Sequence, residues 1–355
     1  MMKILTVLGA RPQFIKAAAL SAEIAKHKDI QEIIIHTGQH FDKNMSAIFF
    51  EEMGIPEPDY NLDINSLSHG AMTGRMLENI EELIIKEQPD WVVVYGDTNS
   101  TIAGALASKK LHVKVAHIEA GLRSFDMKMP EEINRILTDQ ISDMLFCPTD
   151  TAVQNLKNEG FANKPVKIIK SGDIMFDSVL LFKQKMKAPP FDLPKNFVLT
   201  TVHRQENTDD LERLKKIMQA LNRLHEEGQH IILPLHPRTR NILKKENIKL
   251  SFEPVSPVGY LEMLYLLEHA QFVITDSGGL QKEAYFFGKY CITLRDSTEW
   301  IELVEHGINT LINFDRDIYT QIKEVARKEV KMKDGLYGKG NTAGIIVNEL
   351  KNYKL

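Results

Sequence analysis

Residues 91–124 read WVVVYGDTNSTIAGALASKKLHVKVAHIEAGLRS. Trp91–Tyr95 is a short apolar run, rich in valine, that stops at Gly96-Asp97. Thr101–Lys109 has helical spacing and composition, and Val113–Ile118 is a second Val/Ile-rich run that stops at Glu119. Strand, helix and strand in that order are the pattern of a parallel pair whose crossover helix covers the sheet. The stretch therefore reads as a β-α-β unit, with the carboxylates Asp97 and Glu119 at the carboxyl ends of its strands.

The same rhythm extends in both directions. Lys3–Leu8 and Glu32–His36 read as strands, Phe14–Lys26 and Gly74–Lys86 as helices, and Glu131–Ile141 with Asp143–Cys147 continues the alternation. It weakens over Lys183–Lys195, where two adjacent prolines and a third mark a connection. It restarts with strand candidates at Phe197–Val202, His230–Leu235, Phe272–Thr275 and Tyr290–Leu294. Asp209–Glu227, Leu261–Ala270 and Gly279–Phe287 are helical between them, and a last helix over Asn341–Tyr353 follows three glycines. The fold class is α/β in two halves. We place the first domain at 1–175, with the C-terminal helix 341–355 packing back on it, and the second at 176–340.

A chain of 355 residues has room for two domains of ordinary size. Hydrophobic content of 43% and charged content of 26% exclude a disordered chain. Lys+Arg 44 against Asp+Glu 48 leaves a net charge of −4, which gives no sign of a nucleic-acid or membrane-surface partner. No apolar run approaches the roughly 20 residues that span a bilayer. The opening stretch runs into Arg11-Pro12 instead of a cleavage site and reads as a first buried strand. Cys147 and Cys291, each inside apolar surroundings, read as core thiols in the cytoplasm rather than a disulfide or a zinc site.

Open α/β sheets bind ligands beyond the carboxyl ends of their strands, and the unusual residues lie there. Gly9-Ala10-Arg11-Pro12-Gln13 follows the first strand, with Gly9 suited to a tight turn, Pro12 to a first helical position, and Arg11 and Lys16 near a helix N-terminus that favours anions. It lacks the further glycines of the dinucleotide fingerprint, so NAD is not implied. Asp97 and Glu119 are candidate acid–base groups; Glu131 and Glu132 open a helix, where acids also occur for dipole reasons alone. In the second half, Thr201-Val202-His203-Arg204-Gln205-Glu206-Asn207 and Leu235-His236-Pro237-Arg238 follow strands. Asp276-Ser277-Gly278-Gly279 opens a helix directly after a strand, a seat for a diphosphate, and Glu283 lies one turn further on, placed to accept from ribose hydroxyls. Arg295-Asp296-Ser297-Thr298-Glu299 ends the series. No histidine spacing implies a metal.

Taken in order, Gly-Asp-Thr at 96–98, His-Ile-Glu-Ala-Gly-Leu-Arg at 117–123, Pro-Glu-Glu-x-Asn-Arg at 130–135, His-Arg-x-Glu-Asn at 203–207 and Asp-Ser-Gly-Gly at 276–279 resemble the non-hydrolysing UDP-N-acetylglucosamine 2-epimerase family. The resemblance runs from Gly9 to Glu299. It implies two Rossmann-like domains facing a central cleft, the glycosyltransferase B-type architecture, usually as a homodimer. It also implies interconversion of UDP-GlcNAc and UDP-ManNAc without cofactor or metal, by elimination of UDP to a glycal and re-addition. Carried over by motif, Asp97, Glu119 and Glu131 are the acid–base carboxylates, with the C2 base among them open. His203 lies against the diphosphate or leaving group. Arg11, Lys16, Arg204, His236, Ser277, Gly278, Gly279, Glu283 and Arg295 bind the UDP-sugar.

Three departures from the common pattern bear on the substrate. Gly-Ala-Arg-Pro-Gln stands for Gly-Thr-Arg-Pro-Glu, Thr-Glu-Trp-Ile-Glu stands for Thr-Glu-Arg-Pro-Glu, and Ser66-Leu67-Ser68-His69-Gly70 replaces the Gln-Pro-Gly-Gln linked to activation by a second UDP-GlcNAc. They resemble the branch acting on UDP-2,3-diacetamido-2,3-dideoxyglucuronate, which leaves the sugar open. A B-type UDP-sugar glycosyltransferase, a hydrolysing epimerase and a silent UDP-sugar binder are the competing readings.

Overall fold

A computed structural model describes residues 1–39, 54–326 and 331–353. The chain divides into two compact units, Met1–Leu181 with Gly335–Leu355, and Phe182–Asp334. In the first unit the elements run β1 (Met2–Leu8), α1 (Arg11–Ile24), β2 (Ile30–His36), β3 (Tyr60–Asn61), α2 (His69–Glu87), β4 (Trp91–Tyr95), α3 (Asn99–Lys110) and β5 (Lys114–Ile118). They continue with α4 (Pro130–Ile141), β6 (Met144–Cys147), α5 (Asp150–Asn158), β7 (Lys167–Lys170) and α6 (Ile174–Lys183), which runs through the end of the unit. The strands form one parallel sheet in the order β3-β2-β1-β4-β5-β6-β7.

One face of this sheet carries Leu5, Val7, Ile33, Ile35, Val92 and Val94 against Met76, Ile80 and Ile84 of α2 and the alanines of α3. Each such side chain taken from water contributes about 1.5–3 kcal/mol before conformational entropy is subtracted. That burial explains why α2 begins at His69, five residues before the sequence reading placed it. Gly70 and Gly74 weaken the helix locally, but Met76, Ile80 and Ile84 draw the whole segment onto the sheet. Helix α1 starts at Arg11, so Pro12 takes its second position and not its first.

The second unit contains β8 (Phe197–Thr201), α7 (Gln205–Thr208), α8 (Leu211–Glu226), β9 (His230–Ile232), α9 (Pro237–Lys245), α10 (Tyr260–His269) and β10 (Val273–Thr275). It ends with α11 (Gly278–Phe286), β11 (Cys291–Thr293), α12 (Ile301–Glu305), β12 (Asn309–Leu311) and α13 (Ile318–Ala326). Its sheet is also parallel, ordered β12-β11-β10-β8-β9. Val198, Ile231, Ile274 and Ile292 pack there against Leu214, Ile217 and Leu221 of α8.

The chain then returns to the first unit as α14 (Thr342–Lys351), which packs on α1. Tyr353 sets its ring edge-on to Trp91 at 5.0 Å, and Lys351 pairs with Asp29 at 2.8 Å. With the sheet on one side and α14 on the other, α1 is buried on nearly every face, which matches its alanine-rich sequence.

Candidate functional site

Each sheet reverses its strand order at one point. In the first unit β2 lies on one side of β1 and β4 on the other; in the second, β9 and β10 flank β8. The loops leaving such neighbouring strands part in opposite directions and open a crevice at their carboxyl ends. Those loops are Gly9–Ala10 and Gly96–Thr98 in the first unit, and Val202–Arg204 and Asp276–Ser277 in the second. The sequence motifs thus fall at the positions where an open α/β sheet binds its ligand.

In the first unit the structure brings Lys16, Asp97, Glu119 and Glu131 together. Lys16 Nζ pairs with Glu119 Oε2. Arg135 Nη2 donates to Asp97 Oδ2 at 2.5 Å. Burial pushes Asp97 above the usual carboxylate range; the charges of Arg135 and Lys16 pull it back, and those of Glu119 and Glu131 add to the rise. Glu119 itself has a left-handed backbone, φ 68°, a conformation that costs a non-glycine residue about 1–2 kcal/mol. Strain of that size persists where the surroundings over-determine it, as they do in many active sites. Arg11 is the first residue of α1.

A buried scaffold holds these groups. His117, wholly buried at the end of β5, sets Nδ1 2.7 Å from Asp139 Oδ1 and Nε2 2.7 Å from the Gly96 carbonyl. Asp139 Oδ2 also accepts from Arg123 Nη1 at 2.8 Å. Glu132, adjacent in sequence to exposed Glu131, is 1% exposed and accepts from the Ser124 amide, the Ser124 hydroxyl and the Phe125 amide, each at 2.9 Å. Gln13 explains one departure from the family pattern. Its Oε1 accepts from the Gly9 and Ala10 amides, while Nε2 donates to the Tyr95 carbonyl at 2.7 Å and Thr98 Oγ1 at 3.0 Å. A glutamate has no donor for the last two, so the amide clamps the two loops of the switch point.

In the second unit, fully buried Asp276 organises the loop after β8. It accepts from the His203 amide at 2.9 Å, the Arg204 amide at 3.0 Å and Asn207 Nδ2 at 3.1 Å. Its Oδ1 lies 3.3 Å from His203 Nδ1, which leaves the other nitrogen of this half-exposed imidazole to solvent or a ligand. Ser277 caps α11, where the first-turn amides of Gly278 and Gly279 have no carbonyl of their own helix to bond. Arg295 pairs with Glu299 at 2.8 Å. Burial pushes Glu299 up, but the Arg295 charge, hydrogen bonds to the carboxylate and the Arg204 charge together outweigh it and hold the carboxyl below its usual range. A Cβ at Gly278 would come within 2.5 Å of Glu299 Oε1 and 3.8 Å of Arg204 Nη2. Anion-binding geometry and two cations therefore meet at one helix end. Trp300, another departure, donates its indole N–H to the Gly278 carbonyl at 2.8 Å and lies under Lys282 Nζ at 4.0 Å, so it pins the same turn.

Not every candidate joins these groups through its side chain. His236 is exposed and accepts from the Arg238 amide at 3.2 Å as the cap of α9. Glu283 is buried on α11, 6% exposed. Asp276, Arg135, Glu132 and His117 were not among the residues singled out for a role, although all four lie within the quoted motifs. Only the tertiary pairing shows what they touch. Among the described residues, no group of three or more His, Cys, Asp or Glu side chains is arranged to hold a metal ion, and no helix is long and apolar enough to cross a membrane.

The family model described as UDP-N-acetylglucosamine 2-epimerase matches residues 22–351. UDP-2,3-diacetamido-2,3-dideoxy-D-glucuronate 2-epimerase of Pseudomonas aeruginosa is 56% identical over 98% of this chain and 99% of its own length. The crystal structure of Methanocaldococcus jannaschii UDP-GlcNAc 2-epimerase in complex with UDP-GlcNAc and UDP is similar at TM-score 0.86 and 41% identity, covering 99% of this chain and 100% of the other. The Neisseria meningitidis UDP-GlcNAc 2-epimerase bound to UDP-GlcNAc reaches TM-score 0.88 at 31% identity, with 99% and 100% covered.

Proposed function

The chain belongs to the UDP-N-acetylglucosamine 2-epimerase family, and on that premise we propose that it inverts C2 of a UDP-2-acetamido sugar without hydrolysing it. Of the two sugars left open by the sequence, UDP-GlcNAc and UDP-2,3-diacetamido-2,3-dideoxyglucuronate, we take the second as substrate. The 56% identity to the Pseudomonas aeruginosa enzyme over nearly the whole chain supports that choice.

The observation that carries the reaction is the set of three carboxylates with two cations at the switch point of the first unit. The C2 proton has no neighbouring carbonyl to acidify it, so its removal needs a positioned base and a departing group at C1. One carboxylate takes the C2 proton as the C1–O bond breaks; the electron pair of that bond leaves with UDP, and a C1–C2 double bond forms. Re-addition reverses the electron flow, with a proton delivered to the opposite face of C2. Asp97, Glu119 and Glu131 are the acid–base groups. His203, held by Asp276, and the cations Arg204 and Arg295 at the N-terminus of α11 stabilise the leaving diphosphate with Ser277, Gly278 and Gly279. Glu283 takes the ribose, with Arg11, Lys16 and His236 in supporting contacts. We assign the enzyme to the cytoplasm as a homodimer; light scattering that gives the mass of one 40.5 kDa chain counts against the dimer.

Proton NMR in deuterium oxide with each sugar in parallel tests the proposal. Deuterium at C2 and a manno-configured anomeric signal are expected from the diacetamidoglucuronate. Free sugar with UDP would mean a hydrolysing enzyme, and UDP release only on addition of an acceptor would mean a transferase.

A further inference from the structure

Arg135 is one of the two cations of that carboxylate set, but no role has been given to it, and it touches Asp97. Arg135 is 6% exposed; Nη2 bonds Asp97 Oδ2, and Nη1 lies 3.3 Å from Glu132 Oε2. Nε and Nη1 are buried and, among the described residues, have no hydrogen-bond partner. Buried donors left unbonded cost about 1–3 kcal/mol each, so this arginine is poorly suited to serve stability alone. A well-packed apolar residue in its place is often neutral or stabilising. Its position is set by the two charges it bridges. Glu132 is itself immobile, fixed by three hydrogen bonds from Ser124 and Phe125. The preceding residue, Asn134, donates to the Asp97 carbonyl at 2.9 Å, so α4 grips both the backbone and the side chain of Asp97.

We propose that Arg135, anchored by Glu132, is a positioning residue that fixes the Asp97 side chain and keeps it charged, ready to accept a proton from the sugar. This rests on the epimerase reading. The groups facing Asp97 are Arg135 and Glu131 from α4, Lys16 from α1 and Glu119 from the turn after β5, with His117 on the neighbouring Gly96 carbonyl. Of these charges only Arg135 and Lys16 favour the carboxylate. Burial already holds Asp97 above its usual range against both cations; without Arg135 only Lys16 opposes burial, Glu119 and Glu131, and Asp97 holds its proton to still higher pH.

The test is the pH profile of C2 deuterium exchange at saturating substrate for R135M and R135K. In R135M the acid limb moves to higher pH by about one unit or more, the effect of one adjacent arginine, so exchange at the wild-type midpoint falls severalfold. R135K restores most of the limb but, without the fork, keeps kcat about tenfold down with KM within about twofold. An unmoved acid limb in folded R135M overturns the proposal. If R135M does not fold, R135K decides alone, and an unchanged kcat overturns it. Should wild type exchange no C2 hydrogen, the epimerase reading fails instead. The Asp97 carboxyl carbon is then titrated by NMR in unliganded wild type and R135M, and identical curves refute the positioning role.

Discussion

Gly96→Ala is the substitution whose effects on stability and on rate the geometry separates. Gly96 has φ +61°, so any side chain there pays the left-handed penalty, about 1–2 kcal/mol. For a unit of this size that corresponds to a melting temperature lower by roughly 2–8 °C. The new Cβ would lie 3.3 Å from Glu119 Oε2 and 3.8 Å from Lys16 Nζ. The first distance is tighter than ordinary contact, and the carboxylate has little room to retreat because it is buried and paired with Lys16. A shift of a few tenths of an ångström, shared with Asp97 next in the chain, is the expected response. Misplacements approaching 1 Å reduce rate by about a hundredfold, so a loss of about 10- to 100-fold in kcat is expected. Differential scanning fluorimetry reads the first quantity, and C2 deuterium uptake measured well below the melting transition reads the second. A variant that melts lower but exchanges at the wild-type rate would refute the claim that the Gly96 turn sets the Glu119–Lys16 pair. One that changes neither would refute the left-handed turn itself.

Asp97→Asn and Glu119→Gln are each expected to slow C2 exchange by about 10²–10⁴-fold, the range for one acid–base group, while UDP binding by calorimetry stays near wild type; wild-type exchange in both proteins would end the mechanism. Gly278→Ala pushes a methyl against Glu299 Oε1, 2.5 Å away, at the seat assigned to the diphosphate, and UDP should bind about tenfold or more weakly. Unchanged affinity would move the diphosphate elsewhere. Glu32 tests the packing of the first unit. Burial raises its carboxyl above the usual range although Thr6 donates to it at 2.6 Å. A raised folded-state value means that its contribution is complete below the unfolded value and is lost as pH rises through the folded one. Glu32→Gln should therefore melt higher than wild type at pH 8, with the gain disappearing toward pH 4; a lower melting temperature at pH 8 would contradict this.

The inner strands were readable because each is a short, largely apolar run, most of them rich in Val or Ile, and several carboxyl ends because a polar residue or glycine follows, as at Gly9, Gly96, Glu119 and Asp276. Three of the four edge strands were not; the fourth, His230–Ile232, stood inside the run read at His230–Leu235. Tyr60–Asn61, Lys167–Lys170 and Asn309–Leu311 are short, and Lys167 and Lys170 bracket only two isoleucines. Such strands are held by one neighbour's backbone and need no apolar run of their own. The same limit applies to the site. Asp97 and Glu119 announce themselves by standing where an apolar strand stops. Glu131 and Glu132 look alike in sequence, both suited to a helix start, yet one is exposed beside Asp97 and the other is buried against Ser124 and Phe125. About 100° of helix rotation separates them, and only the packing of α4 decides which points where. Asp276 required knowing that β10 lies beside β8, because its partners are 69–73 residues away in the chain.

The two units solve the same problem with different materials, and the difference follows the chemistry asked of each. In the second, the groups we assign to the diphosphate are backbone amides at a helix start, a half-exposed histidine and two arginines, and Asp276 orders His203 and Arg204 through their main-chain amides. A diphosphate carries fixed charge, so fixed donors suffice. The first unit must hold several carboxylates close together without letting them protonate at random. It does so by giving Glu119 to Lys16 and Asp97 to Arg135, while Glu131 stays exposed. Three like charges in one place then differ in environment, and in the reaction we propose that difference lets one group accept a proton while another donates. The buried Arg123–Asp139 ion pair, with His117 bonded to the same carboxylate, supports them at 0–3% exposure, where breaking such a pair costs about 3–5 kcal/mol. A scaffold so costly to disturb holds the Gly96 carbonyl and the Glu119 turn in place beside the groups to which we assign the proton transfers.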